Sequence, residues 1–213
     1  MERRREIYLR LEAFDHAFLQ GDVRILAGVD EVGRGALAGP VVAAAVVLPP
    51  CCGLVGVNDS KTINESNREK YFQQIIDSAL SIGIAQGTSD RIDRDNILNA
   101  TLFAMAQAVQ RLNIKPDLVL VDGRETIDIC GRVLPITRGD GKSLAVAAAS
   151  IVAKVTRDRM MRRLHQRHPE YNFSKNKGYG TREHREAIIK YGILPQHRKS
   201  FAMKGIEKNA GMF

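Results

Sequence analysis

Asp30 and Glu31 are adjacent acids at the end of an apolar run over residues 25–29, and Gly33-Arg34-Gly35 follows them at once. A strand that delivers two carboxylates to its end sets like charges side by side, which folding alone does not require. A divalent cation relieves the repulsion, because hard ions such as Mg²⁺ take carboxylate oxygens. Asp122 closes a second apolar run over 118–121, and beside Asp30 and Glu31 it becomes a candidate third ligand. Asp140 is a fourth acid, set just before a long helical pattern. The plainer alternative for these acids is a set of solvated strand ends and turns. Arg34 offers a fork-shaped partner either to a phosphate or to the acids themselves. Metal, glycine turn and arginine together point to a phosphodiester.

Gly33-x-Gly35-x-x-Ala38 nearly matches the dinucleotide fingerprint, in which a pyrophosphate rests on a helix N-terminus. The two acids would repel that phosphate, and Pro40 leaves no room for the helix. A tight turn whose bare backbone permits close approach fits better. Ser60, Lys61 and Thr62 stand ahead of a helix and could hold a phosphate, although Thr62-x-x-Glu65 also reads as a capping box. Lys177, Tyr179 and Thr181 belong to a basic loop over 175–181 with one aromatic ring, and residues 197–201 with Arg198 add a second basic patch. Cations for phosphates and a ring for stacking suit nucleic acid. The alternative for Tyr179 is an ordinary surface ring.

The elements that would position these residues follow from periodicity and punctuation. Residues 1–20 place Ile7, Leu11, Phe14 and Phe18 at helical spacing, a peripheral helix before the core. The runs over 25–31 and 41–48 read as adjacent buried strands, joined like a hairpin around Gly39-Pro40. The helix after Thr62 carries Tyr71, Phe72, Ile75, Ile76, Ala79 and Leu80 on one face. Strands are expected over 81–86, 118–121 and 133–136, with a helix over 93–112. The long helix from Leu144 buries Ala147, Ala148, Ile151, Val152 and Val155. Lys154, Arg157, Arg159, Arg162 and Arg163 give it a basic surface, and Asp158 suits a surface ion pair with Lys154. Thr181 caps a last helix that Gly192 stops near Tyr191. Apolar strands joined by helical crossovers make an α/β sheet with some parallel pairing.

The chain has 213 residues, 44% hydrophobic and 26% charged, enough for a sizeable core. A net charge of +8 and a pI near 9.6 favour a polyanionic partner. Cys51, Cys52 and Cys130 form no zinc or C-x-x-C spacing. An odd cysteine count without a signal peptide fits a reducing cytoplasm. No segment reaches the roughly 20 apolar residues of a membrane span.

The blocks DEVGRGALAGPV, NDSK, LVDG, GDGKS with AAASIVAKVTRDR, KGYGT and HRKSF occur in order over 26–201, and together they resemble the bacterial ribonuclease HII family. The resemblance implies a ribonuclease H-like α/β fold, a mixed central sheet flanked by helices with a small helical C-terminal part. It divides the chain into a peripheral helix (1–21), a catalytic core (22–165) and a basic substrate-binding part (166–213). It implies hydrolysis of the RNA strand of RNA–DNA hybrids and incision 5′ of single ribonucleotides in duplex DNA. Two Mn²⁺ or Mg²⁺ ions would serve, leaving 5′-phosphate and 3′-hydroxyl ends, in ribonucleotide removal from DNA. Asp30, Glu31, Asp122 and Asp140 match the family's metal-binding carboxylates. Gly33, Arg34 and Gly35 match its 2′-hydroxyl reader, and Tyr179 its junction-stacking tyrosine. Ser60, Lys61, Lys177, Thr181 and Arg198 fall in blocks placed around phosphates. The family expectation is a monomer, with a replication-clamp contact left open.

A DNA nuclease or resolvase of the same fold would not need the glycine turn, and a catalytically dead hybrid-binding module would not need four acids. The nucleotide-binding oxidoreductase is weakened by Pro40 and the acids.

Overall fold

Residues 26–29 and 41–47 are small or aliphatic throughout, so both stretches offer apolar side chains to both faces of the sheet. The computed structural model describes residues 2–58, 60 and 63–201. Strand β1 (Leu26–Val32) pairs antiparallel with β2 (Val41–Val47) and, on its other edge, parallel with β4 (Leu118–Asp122). β3 (Ser81–Gly87) extends the sheet antiparallel to β2, and β5 (Arg132–Ile136) extends it parallel to β4. The order β3-β2-β1-β4-β5 is a mixed α/β sheet, with the first two strands arranged as a hairpin.

Helix α1 spans Glu2–His16, α2 Glu65–Ser78, α3 Ser89–Gln110 and α4 Leu144–Arg167. Ala44 and Val46 of β2 face α4, α2 and α1, while Ala43, Ala45 and Val47 face α3. α1 is fastened as well as packed: Tyr8 and Leu11 are buried, and Asp15 accepts from the Ala145 N–H at the start of α4 (2.8 Å). A separate cluster joins Leu37 and Ala38 to Met161, Leu164, Tyr171, Phe173, Ala187 and Ile188. It holds α5 (Phe173–Asn176) and α6 (Arg182–Tyr191) against the far end of α4, which runs on past residue 165 to Arg167. α6 begins at its Thr181 cap and ends at Gly192, as the sequence predicts. No helix among the described residues is long and apolar enough to cross a membrane.

Several expectations are corrected. α3 starts at Ser89, because Thr88 accepts from the Arg91 N–H, and it is interrupted at Asn96. Asn96 has φ +67° and ψ 168°, and its side chain accepts from the Asn99 N–H, so it restarts the helix as a second cap. α2 is capped by Asn64, which accepts from the Asn67 N–H, whereas Thr62 of the predicted capping box lies outside the described residues. Ile76 and Leu80 are exposed rather than turned inward with Ile75. Asp158 does pair with Lys154 at 2.7 Å, yet its side chain is buried and a second cation, Arg68, lies 3.7 Å away.

Candidate active site

Parallel pairing of β1 with β4 brings the C-terminal ends of two apolar strands side by side, and each ends in an acid. Asp30 is buried on β1 and Asp122 is half-buried at the end of β4. Asp122 accepts from the Gly139 N–H (2.6 Å), which fixes the short helical turn Gly139–Gly141 and places Asp140 beside the strand ends. Asp30, Asp122 and Asp140 each offer a carboxylate oxygen within 4.8 Å of the others. Two oxygens on opposite sides of one ion, at the roughly 2.0–2.6 Å of Mg²⁺ or Ca²⁺ ligation, stand about that far apart. The donor set is all oxygen, which suits Mg²⁺ or Mn²⁺. The three residues fit a divalent cation.

Glu31 lies beside this group rather than within it: its carboxylate faces Arg34, whose Nη1 is 3.6 Å away. Burial raises the Asp30 pKa well above the carboxylate range, and the charges of Glu31 and Asp122 add to the effect. Burial also raises Glu31, opposed by the neighbouring Arg34 guanidinium. This excess of buried negative charge is what a bound cation would neutralise.

The turn after the acids is built from outside. Gly33 has φ +97°, and a β-carbon there would collide with the Nε and Cδ of Arg157. Arg157 donates to the carbonyl oxygens of Pro40 (2.9 Å), Lys177 (2.8 Å) and Ala38 (3.1 Å). Arg198 donates to those of Gly33 and Arg34, both at 2.7 Å, and to Gly39. Both arginines are fully buried, and burial lowers both pKa values, that of Arg198 to about 9. Gly178 closes the arrangement by accepting from the Leu37 N–H at 2.8 Å. The turn, the basic loop and the segment around Arg198 therefore form one hydrogen-bonded unit.

Arg34 and Gly35 are exposed on the turn. Tyr179 is 37% exposed, with the Arg157 guanidinium 5.5 Å from its ring centre. Ser60 is buried and shares a 2.9 Å hydrogen bond with the Ser150 hydroxyl, which itself hydrogen-bonds Asp30. The Lys177 Nζ donates to the Ser174 carbonyl, and burial lowers its pKa. The Thr181 hydroxyl oxygen accepts from the His184 N–H as the α6 cap, a bond that does not use its O–H. Lys61 lies outside the described residues. Arg198 is corrected: its fork is consumed by backbone carbonyls, so it shapes the turn and does not reach a phosphate. Arg157 is corrected in the same way, from basic surface to core.

Two contributors went unread in the sequence. Ser150 lies in an alanine-rich stretch of α4 and hydrogen-bonds Asp30, opposing the upward shift of that carboxyl. A lone hydroxyl on an apolar helix was its signal. Arg157 lies four residues after Ala153 and four before Met161, both of which the fold buries, and so shares their core-facing side of α4.

A family model described as Ribonuclease HII matches residues 27–204. Ribonuclease HII of Syntrophus aciditrophicus is 50% identical over 194 residues, covering 91% of this chain and 92% of that one. Among solved structures, the ribonuclease H2 of Pyrococcus horikoshii is similar with a TM-score of 0.72 and 29% identity, over 86% of this chain and 97% of its own. The ribonuclease HII of Archaeoglobus fulgidus, solved as a complex with PCNA, has a TM-score of 0.71 and 26% identity, over 83% of this chain and 95% of its own.

Proposed function

The chain belongs to the ribonuclease HII family, whose members cleave the RNA strand of RNA–DNA hybrids, and from that premise we propose that it also incises duplex DNA 5′ of a single embedded ribonucleotide. The observation that carries the reading is the convergence of Asp30, Asp122 and Asp140 within 4.8 Å, next to an exposed turn that begins three residues after Asp30. Asp30, Asp122 and Asp140 would hold divalent ions, two in this reading, with Glu31 completing the set. Such ions activate water and stabilise a leaving 3′-oxygen in an in-line displacement. The products are a 5′-phosphate and a 3′-hydroxyl.

The chain's own part is selection and positioning. Gly35 is exposed, its φ is not positive, and a β-carbon there would meet nothing within 4 Å of the protein. Nothing among the described residues requires glycine at that position, so in this reading what its bare backbone admits comes from outside. A ribose 2′-hydroxyl, the group that distinguishes RNA from DNA locally, is the natural visitor. Arg34 extends beside it as a phosphate partner, and the exposed ring of Tyr179 stacks on the sugar at the other side of the junction. Lys177 and Thr181 are the remaining phosphate candidates within the basic part over 166–213. All these groups come from one chain, which suits a monomer.

The test uses an end-labelled DNA duplex with one ribonucleotide, incubated with Mn²⁺ or Mg²⁺. Incision on its 5′ side, abolished by a chelator, is the expected result. Cutting confined to longer RNA stretches would retire the junction reading, and cutting of all-DNA duplex would retire the proposal altogether.

A further inference from the structure

His184 on α6 and His197 in the segment beyond it are both fully buried, and their Nε2 atoms lie 3.2 Å apart. The partners at their outer nitrogens assign both tautomers. The Leu194 backbone N–H donates to His197 Nδ1 at 2.8 Å, so that nitrogen accepts and a neutral ring carries its proton on Nε2. The Tyr179 carbonyl lies 2.9 Å from His184 Nδ1 and can only accept, so His184 carries its proton on Nδ1. The His197 Nε2–H then donates to the bare Nε2 of His184. An unbroken chain of hydrogen bonds runs from the Leu194 N–H through both rings to the Tyr179 carbonyl.

Only neutral rings complete that chain. A proton added to either histidine sets N–H against N–H, between the two rings or at Leu194. The rings are packed among Tyr171 and Phe173, and Ala38 bridges to His197 by backbone. The titratable groups facing the pair offer no compensation: His168 and Arg185 are bases, the Tyr171 hydroxyl donates to the Gly192 carbonyl, and Arg198 is itself a buried cation. Burial accordingly lowers both histidine pKa values.

Tyr179 follows two residues in left-handed conformation, Lys177 (φ +52°) and Gly178 (φ +82°), and its own ring is partly open to solvent. Its backbone must therefore be held if the ring is to present a fixed face. We propose that the neutral His197–His184 pair positions Tyr179, acting with the Thr181 N–H, which donates to the same oxygen at 2.8 Å, to fix the carbonyl from which that ring is set against the duplex. This rests on the junction role given to Tyr179 above.

The test compares His184→Phe, which keeps a ring but has no donor, with His184→Asn, whose amide N–H can still reach the Tyr179 carbonyl, and runs Tyr179→Ala in parallel. Each is assayed on a single-ribonucleotide duplex and on a uniform RNA–DNA hybrid. His184→Phe should lower kcat/KM on the first substrate by about tenfold and on the second by no more than about twofold, as expected for losing one orienting hydrogen bond. His184→Asn should recover most of the loss. Equal losses on both substrates, with no rescue by Asn, would overturn the proposal in favour of a merely structural pair. If Tyr179→Ala is selective and His184→Phe is not, the pair's role fails alone; if Tyr179→Ala is itself unselective, the junction reading fails first. Independently of activity, a long-range ¹H–¹⁵N spectrum of the native protein should show His184 protonated at Nδ1 and His197 at Nε2. The opposite tautomers would overturn the proposal.

Discussion

Arg198 donates to the Arg34 carbonyl oxygen at 2.7 Å, across 164 residues of chain. The same guanidinium reaches the carbonyls of Gly33 and Gly39, so one planar fork sets the curvature of the turn that follows Asp30 and Glu31. A lysine keeps the charge but offers a single ammonium on a flexible stem. Arg198→Lys should therefore leave buried carbonyls unpaired and cost about 2–4 kcal/mol. In a chain of this size that lowers the thermal midpoint by roughly 5–15 °C. A melt followed by circular dichroism checks it, and an unchanged midpoint would mean that the turn holds its shape without the fork.

Asp122→Asn separates charge from scaffold. The asparagine carbonyl can still accept from the Gly139 N–H, so the turn carrying Asp140 should stay in place. The lost negative charge weakens cation binding, and cleavage should fall by about two orders of magnitude or more, given the several kcal/mol that a bound metal supplies. Without metal the variant should melt no lower than the native protein, because one of three clustered like charges has gone. Added Mn²⁺ should raise the native midpoint and leave that of the variant nearly unmoved. Near-normal turnover by the variant would show that Asp122 is not a ligand.

Much of this arrangement is written in local pattern. β1 and β4 each read as an apolar run ending in an acid, and parallel pairing of the two brings Asp30 and Asp122 together. Thr181 and Gly192 bracket α6 because caps are chosen by neighbouring residues. What stayed hidden depends on distant backbone. Nothing beside Arg198 in HRKSF marks it as a core residue, since its partners are carbonyls of residues 33, 34 and 39. Arg157 looked like one more cation among five on a basic helix for the same reason. Glu31 shows the converse: it sits beside the three aspartates, its charge acting on Asp30 and feeling that of Asp122, while its carboxylate also lies 3.6 Å from Arg34, a partner that adjacency to Asp30 does not reveal.

The histidine pair predicts a pH dependence of stability. Burial lowers His197 to about 4 from an ordinary 6.5, and lowers His184 as well. Between those values the unfolded chain binds protons that the folded chain refuses. Stability from the pair is thus complete above about pH 6.5 and is lost as pH falls towards about 4. His197 alone accounts for on the order of 3 kcal/mol. The raised carboxyls of Asp30 and Glu31 act in the opposite sense, losing stability as pH rises. A difference measurement isolates the pair: the gap in thermal midpoint between the native protein and His197→Gln should be widest near neutral pH and should close towards about pH 4.5. A constant gap would show that the pair does not titrate.

Gly33 and Gly35 look equivalent in the sequence, and the structure gives them different reasons to be glycine. At Gly33 both the left-handed backbone and the Arg157 side chain exclude a β-carbon. Gly33→Ala should therefore disturb the fold and activity together, costing about 1–3 kcal/mol from the backbone conformation alone. At Gly35 the backbone is permissive and no described residue lies within 4 Å of an added β-carbon, so Gly35→Ala should leave the thermal midpoint within about 1–2 °C of native, as for an ordinary surface change. Any loss it causes must then come from a clash with what approaches from solvent. The expected result is a fall of about tenfold or more in incision at a single ribonucleotide, the scale on which a misplaced substrate loses rate. Full activity on that substrate would show that Gly35 does not admit the ribose, and the reading of the turn as the RNA-selective element would fall with it.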